Sequence, residues 1–377
     1  LEVEKIPVNM TVTLGAAHIL SPLGEGLAAS VERMRNGGTA LQRTSTAFDT
    51  PAVLGMISSE LLPQGPQRIQ RLIDRCMQPL VRELGNPEFT DRWGCYLATT
   101  KGDIAALENG NAPGAALSVI ADHVQRTYGF TKRPWVISNA CASGTSAIAI
   151  AGAAIERGFV DHAVIIGVDV LSRFVLRGFQ ALHAVSEDPC LPFDAKRNGT
   201  SLGEGCAAVV LTKNASIFKD PLGTFVGGGI AHDANHISGP SRTGEGLMRA
   251  IQCAMKRSNV NASGIHVINA HGTGTDYNDA MESIAFERCA LSEVPLSGYK
   301  GWFGHTLGAA GVLESLLALH ALNAGLVLRS EGLSELGVPS MVNVLTKDMK
   351  IEGDLLLKTS SGFGGCNAAI LLRAKKK

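Results

Sequence analysis

From Thr306 to Leu328 the chain is almost continuously apolar, and this segment most narrows what the chain folds into. Its length imitates a membrane span. Glu314 stands inside it, however, with His320 and Asn323 further on, and a carboxylate at that depth is expensive in lipid. The run is also dense in Ala and Gly. A helix that is apolar all round belongs to the interior of a water-soluble protein. The segment therefore predicts a helix over Thr306–Ala324 that is buried on every side.

Elsewhere, strand-like apolar runs alternate with helical stretches, which predicts an α/β architecture. The strands are expected at Val8–Leu14, Gly94–Thr99, Trp135–Ser138, Ala163–Gly167, Cys206–Leu211, Thr224–Gly229, Ile265–Asn269, Leu355–Thr359 and Ala368–Leu372. The other helices are expected at Pro66–Leu84, Ala115–Tyr128, Ala142–Arg157, Gly244–Ser258 and Asp276–Cys289. At 377 residues the chain is long for one simple core, so two packed halves are the natural outcome. A polar, Pro-containing stretch after a strand, near Lys213–Pro221, divides it into 1–212 and 213–377. No repeat is visible at the residue level, so any duplication would be structural only.

Charge and composition exclude several functions. Lys plus Arg equals Asp plus Glu at 34 each, so no global basic field recruits nucleic acid. The opening Leu1-Glu2-Val3-Glu4-Lys5 has charges where a secretory signal needs an apolar region, and Lys375-Lys376-Lys377 reads as a solvated tail. The expectation is a cytoplasmic protein with no membrane partner. Eight cysteines show neither CxxC pairs nor disulfide spacing, and no G-x-G-x-x-G follows a strand. No metal and no cofactor is expected.

One cysteine has a special setting. Cys141 lies in Ser138-Asn139-Ala140-Cys141-Ala142-Ser143-Gly144-Thr145, between a short strand and an Ala-rich helix. A thiol at a helix N-terminus meets unpaired N–H groups and the positive end of the macrodipole, which lower its pKa and favour the reactive thiolate. Most cysteines are packing residues, so this thiol needs partners to mean more. Two histidines qualify by context. His271 ends a strand in Asn269-Ala270-His271-Gly272-Thr273-Gly274-Thr275, and His305 precedes the buried helix in Lys300-Gly301-Trp302-Phe303-Gly304-His305. Each occupies a Gly-rich junction, where a rigid scaffold presents functional groups. The remaining eight histidines lack this setting.

These three blocks together resemble the β-ketoacyl-acyl carrier protein synthase family, the elongating condensing enzymes of fatty acid and polyketide synthesis. Further matches are Pro192-Phe193-Asp194-Ala195-Lys196-Arg197-Asn198-Gly199, Gly203-Glu204-Gly205, Asn278-Asp279 with Glu282, and Gly362-Phe363-Gly364-Gly365-Cys366-Asn367. The resemblance runs nearly the whole length, in the family's order. It implies a thiolase-like five-layer αβαβα sandwich of two similar halves, with Cys141 on the first and both histidines on the second.

The resemblance also implies roles. Cys141 would carry the acyl primer as a thioester, taken from an acyl carrier protein. His271 and His305 would stabilise the enolate formed as malonyl-acyl carrier protein loses CO2. Lys300 would orient the second histidine within a network that includes Glu314. Backbone N–H groups of Cys141 and Phe363 would form the oxyanion hole, with Phe363 as the gating ring. Thr273 and Thr275 would contact the phosphopantetheine arm. Two departures fall at the acyl pocket, where Thr200 and Ser361 replace phenylalanines common in the family. They favour a bulky, rigid or unsaturated primer, such as an aryl or polyene chain. Asp276 for a usual Pro, and Trp302-Phe303 before Gly304, are further departures. The family's dimers leave two options, a homodimer or a ketosynthase/chain-length-factor heterodimer in which this chain is the catalytic member. A thiolase would share the fold but needs a second cysteine as base, for which Cys366 is poorly placed.

Overall fold

The computed structural model describes residues 11–45 and 47–375. The part of the expected Val8–Leu14 strand before residue 11, the opening Leu1–Lys5 and the tail beyond Lys375 lie outside them. In the first half the chain runs β1 (Val12–Ser21), α1 (Arg68–Glu83), β2 (Trp93–Ala98), α2 (Leu117–Tyr128), β3 (Trp135–Ile137), α3 (Ser143–Glu156), β4 (His162–Asp169) and β5 (Gly205–Thr212). The second half repeats this with β6 (Gly223–His232), α4 (Glu245–Ser258), β7 (Val267–Asn269), α5 (Asp276–Arg288), β8 (Leu296–Ser297), α6 (Ala310–Asn323), β9 (Leu355–Gly362) and β10 (Cys366–Ala374).

The strands are ordered β3-β2-β4-β5-β1-β6-β10-β9-β7-β8, with Gly24–Glu25 added to β1. Counted by chain position, each half therefore reads third, second, fourth, fifth, first. The senses agree as well: the second strand is parallel to the third and fourth, and the fifth is antiparallel to the fourth and first. The seam is an antiparallel pairing of β1 with β6, Val12 opposite Phe225. Two equivalent strands that meet antiparallel relate the halves by an approximate two-fold axis. The duplication is in topology, as the absence of a residue-level repeat required.

Side-chain alternation builds the layers. Along β5, Cys206, Ala208 and Val210 join α1 and α2 in one core, whereas Ala207, Val209 and Leu211 face α3 and α6 in another. A third core packs α4 and α5 on β7, β9 and β10. The order is thus helices, half-sheet, α3 with α6, half-sheet, helices, the five layers expected. Strands covered on both faces read as unbroken apolar runs, which is why β5 and β10 were legible.

The apolar segment becomes α6, in the middle layer. It spans 14 residues, 12 of them buried, and at ~1.5 Å per residue it is too short for the ~30 Å of a bilayer core. No helix of the described residues is long and apolar enough to cross a membrane. The helix starts four residues later than expected, because Leu307 takes a positive φ of 53° and a 3-10 turn fills Leu307–Ala309. Strand β1 runs further than Leu14, through a bulge between Gly15 and His18 with Ala16 at φ 48°. The bulge breaks the alternation that marks a strand in sequence. A hairpin of Leu41–Thr44 and Ala52–Gly55, extended by Leu202–Gly203, was not foreseen.

Helices α3 and α6 cross where both lack side chains. A Cβ on Gly311 would lie 2.2 Å from the Thr145 nitrogen, and one on Gly144 would lie 2.8 Å from the Val312 nitrogen. This contact brings the start of α3, which follows Cys141, against the start of α6, which follows His305.

Candidate active site

Cys141 sits in the turn from β3 to α3. Ala140 is held at φ 46°, and Ser143 pins the turn by accepting from the Asn139 N–H at 2.8 Å and donating to the Ala140 carbonyl at 2.6 Å. From the other half come two loops. His271 leaves the end of β7, and the Glu282 carboxylate of α5 accepts its backbone N–H at 2.9 Å and that of Gly272 at 2.6 Å. Asp279, one turn earlier, accepts from Thr273 and Gly274. Asp276, the departure from Pro, opens α5 as an acidic first-turn residue facing the positive helix end. His305 follows Gly304, which has φ 79°, and its N–H donates to Ser201 O at 2.7 Å.

The Cys141 sulfur and one ring nitrogen of each histidine lie within 4.8 Å of one another. The imidazoles meet edge to face with centroids 5.0 Å apart. Their tautomers are set from behind. The Leu307 N–H donates to His305 Nδ1 at 3.2 Å, and the Lys300 ammonium stands 3.3 Å from His271 Nδ1. Each ring therefore carries its proton on Nε2. His305 Nε2 is buried with no partner, a donor without an acceptor. Burial first, then the positive charge of Lys300, holds both imidazoles well below their usual pKa, so both are neutral.

Lys300 also reaches the His271 carbonyl and Glu314 Oε1, the latter at 2.9 Å, and both side chains are fully buried. It thus grips the first histidine, His271, rather than the second, which the resemblance implied it would orient. A thiol and two imidazoles at such spacing is also a zinc donor set, but the buried ammonium beside it opposes a second cation. Below the His305 turn, Asp169 at the end of β4 accepts from the Gly308 N–H at 2.7 Å and pairs with Lys101, also 2.7 Å away. This carboxylate ties the half that carries Cys141 to the loop that carries His305. Neither Asp169 nor Lys101 stood out in sequence, since Asp169 ends an ordinary strand and Lys101 lies three residues past the end of another.

Cys141, His271 and His305 line one cavity of about 650 Å³ with Thr273, Thr275, Thr200, Ser361 and Phe363. Lys300 and Glu314 lie behind its wall. The Thr273 and Thr275 hydroxyls bond each other at 2.8 Å. Phe363 tilts against Phe179 with centroids 5.3 Å apart. Ser361 donates to Asn367 Oδ1 at 2.8 Å, and Thr200 is buried beside Cys190. His183 and His236, set aside in sequence, also line the cavity. Their exposure to it comes from loops whose course the sequence does not show. Trp302 and Phe303 are fully buried, the indole donating to Arg329 O and stacked under the Arg329 guanidinium; they anchor the His305 loop.

One expectation is overturned in the resting site. Cys141 is buried, and burial pushes its thiol up to about 12 against the downward pull of Lys300. Desolvation outweighs the helix terminus, so the resting site holds the neutral thiol. Alkylation of Cys141 by iodoacetamide, followed by intact mass, is therefore expected to accelerate about tenfold per pH unit between about pH 7 and pH 9. A plateau over that range would show that the helix terminus and Lys300 outweigh burial.

The family of the Beta-ketoacyl synthase N-terminal domain matches residues 66–216, and that of the C-terminal domain matches residues 222–333. The chain belongs to the β-ketoacyl synthases. Among curated relatives of this family, the 3-oxoacyl-[acyl-carrier-protein] synthase 2 of Rhizobium meliloti is 33% identical over 280 residues, covering 69% of this chain and 65% of that protein. The chain thus spans less than two thirds of that relative's length. A Streptomyces halstedii protein, provisionally named polyketide beta-ketoacyl synthase 1, is 30% identical and covers 98% of this chain and 99% of its own. Among solved β-ketoacyl synthase folds, a ketosynthase from Xenorhabdus doucetiae, in complex with its chain length factor, superposes with a TM-score of 0.84 at 24% identity, covering 97% of this chain and 98% of that one.

Proposed function

We propose that this β-ketoacyl synthase joins an acyl primer, held on Cys141, to a malonyl group carried by an acyl carrier protein. The observation that carries the reading is the trio itself: one buried thiol within 4.8 Å of two neutral imidazoles, each fixed as an Nε2–H donor. The Cys141 sulfur attacks the carrier thioester, an acyl–sulfur bond forms, and the carrier thiol leaves with the cysteine's proton. A malonyl thioester then enters, its carbon–carboxylate bond breaks, and CO2 departs. The electron pair passes to an enolate whose oxygen accepts from His271 and His305 Nε2–H. Such donors are worth most in a dry site prepared for the charge. The enolate carbon bonds to the acyl carbonyl, and Cys141 is released as thiolate, then protonated. Backbone N–H groups of Cys141 and Phe363 would hold the oxyanion of each tetrahedral intermediate. Thr273 and Thr275 would meet the phosphopantetheine arm. A thiolase would need a second cysteine in the cavity, and among its described lining residues Cys141 is the sole one.

The chain divides, in this reading, into 1–212, which brings the nucleophile, and 213–377, which brings both histidines, Lys300 and the Phe363 loop. The end of β5 at Thr212 and the start of β6 at Gly223 support that boundary. A partner subunit, either a second copy or a chain-length factor, fits the outer edge of β3. That strand pairs with β2 on one side, and its Trp135 is 67% exposed, the kind of open edge that recruits another chain. Eight free thiols support a reducing, cytoplasmic setting.

Thr200 and Ser361 would enlarge the acyl pocket for an aryl or polyene primer. Both line the cavity, where phenylalanine would occupy the space. Intact-mass profiling with acyl thioesters of varied chain tests both points. Acylation of the native enzyme should favour rigid or unsaturated primers, and Thr200→Phe with Ser361→Phe should shift it about tenfold or more toward short saturated ones. Unchanged preference in the double variant would remove these residues from the specificity argument.

A further inference from the structure

Behind the two histidines lies more positive charge than the proposed chemistry uses. Glu314 holds an ammonium on each oxygen: Lys300 on Oε1 and Lys358 on Oε2. All three side chains are fully buried. Lys358 lies on β9, opposite Asn269 of β7, in a strand whose preceding residues Leu355, Leu356 and Leu357 are apolar. Its Nζ donates to the Ala270 carbonyl at 3.2 Å, while Lys300 donates to the next carbonyl, that of His271. Successive carbonyls of the turn that presents His271 are thus each gripped by a lysine, and both lysines are anchored to one carboxylate. One carboxylate thus holds two ammoniums in a dry interior, with Glu282 the next buried acid beyond. An ion buried this way is costly, and a leucine would serve the strand better.

We infer that Lys358 is a positioning residue of the active site, which fixes the His271 turn through Ala270 and places a positive charge beneath both imidazoles. It rests on the condensing reading for what the site does, but the geometry of the ion set stands apart from that reading. The groups facing Lys358 are Glu314 on α6, Lys300 ahead of it, Glu282 on α5 and the two histidines. Its charge adds to burial and Lys300 in keeping His271 and His305 neutral. Burial in turn lowers Lys358 to about 8, with Glu314 pulling the other way. The ammonium is therefore present below about pH 8 and is lost as pH rises through it, loosening the turn.

The test compares the native enzyme with Lys358→Met and Lys358→Arg. Alkylation of Cys141 by iodoacetamide at one fixed pH reports an intact fold, and CO2 release from a malonyl thioester across about pH 6–9.5 reports the histidines. The native profile should fall above about pH 8. Lys358→Met, with normal alkylation, should release CO2 about 10²-fold more slowly, the cost of a displacement near 1 Å, and without the fall. Lys358→Arg, whose guanidinium stays charged, should recover part of the rate and keep it above pH 8. A Met variant with native rate and native profile overturns the inference, as does a native profile that stays level through pH 9.5. If the native enzyme alkylates normally yet releases no CO2, the condensing reading fails. The ¹⁵N imidazole spectrum of His271 then decides for Lys358: a fixed Nε2–H tautomer in the native protein, giving way to mixed forms in Lys358→Met, supports it, and identical spectra reject it.

Discussion

Cys141→Ala is expected to abolish the acyl adduct seen by intact mass and to cut condensation by about 10⁴-fold or more, the scale set by removing a covalent nucleophile. Release of CO2 from a malonyl thioester should survive in the same variant. The reason is that nothing holding the histidines passes through the thiol: His271 is fixed by Glu282 and Lys300, and His305 by Leu307 and Ser201. Adduct formation that persists without Cys141 would move the nucleophile elsewhere, and Cys190, buried with its sulfur donating to Thr273 O, would be the first place to look.

The histidine variants should show the reverse pattern. His305→Ala and His271→Ala each delete one prepared donor, and each should slow decarboxylation by about 10²–10³-fold while Cys141 still accepts acyl groups. Their pH dependence is also fixed in sign. Both imidazoles are held well below the ordinary histidine range, so the neutral donor form is already complete at neutral pH and is lost only in more acid solution. Decarboxylation by the native enzyme should therefore show no rise through about pH 6.5, the ordinary histidine value. A rise there would mean that one imidazole is charged in the resting site. Loss of acylation together with decarboxylation would mean that the histidines serve Cys141 rather than the enolate.

Much of this arrangement was legible because it depends on local pattern. Strand β5 announces itself by apolar residues on both faces, and α6 by an apolar surface all round. The nucleophile turn and the two glycine-flanked histidines stand at ends of such elements, so their junctions could be read. What escaped depends on pairing across the fold. Lys358 reads as the point where three leucines give way to polar residues until Glu314, 44 positions away, lies against it. Asp169 reads as a strand end until Gly308, 139 positions away, donates to it. The bulge in β1 erased a periodic signal, and the Leu41–Gly55 hairpin is too short to produce one. The thiol's protonation was misjudged for the same reason: a helix terminus is visible in sequence, whereas the burial that outweighs it is a property of packing.

A single-turnover experiment tests the central claim most directly. Enzyme first acylated on Cys141 and freed of excess donor is mixed with a malonyl thioester, and CO2, β-ketoacyl thioester and remaining acyl-enzyme are quantified together. The predicted result is loss of the acyl group from Cys141 matched by equal amounts of CO2 and β-ketoacyl product. Acyl-enzyme that stays intact while CO2 is released, with no new carbon–carbon bond, would contradict the account.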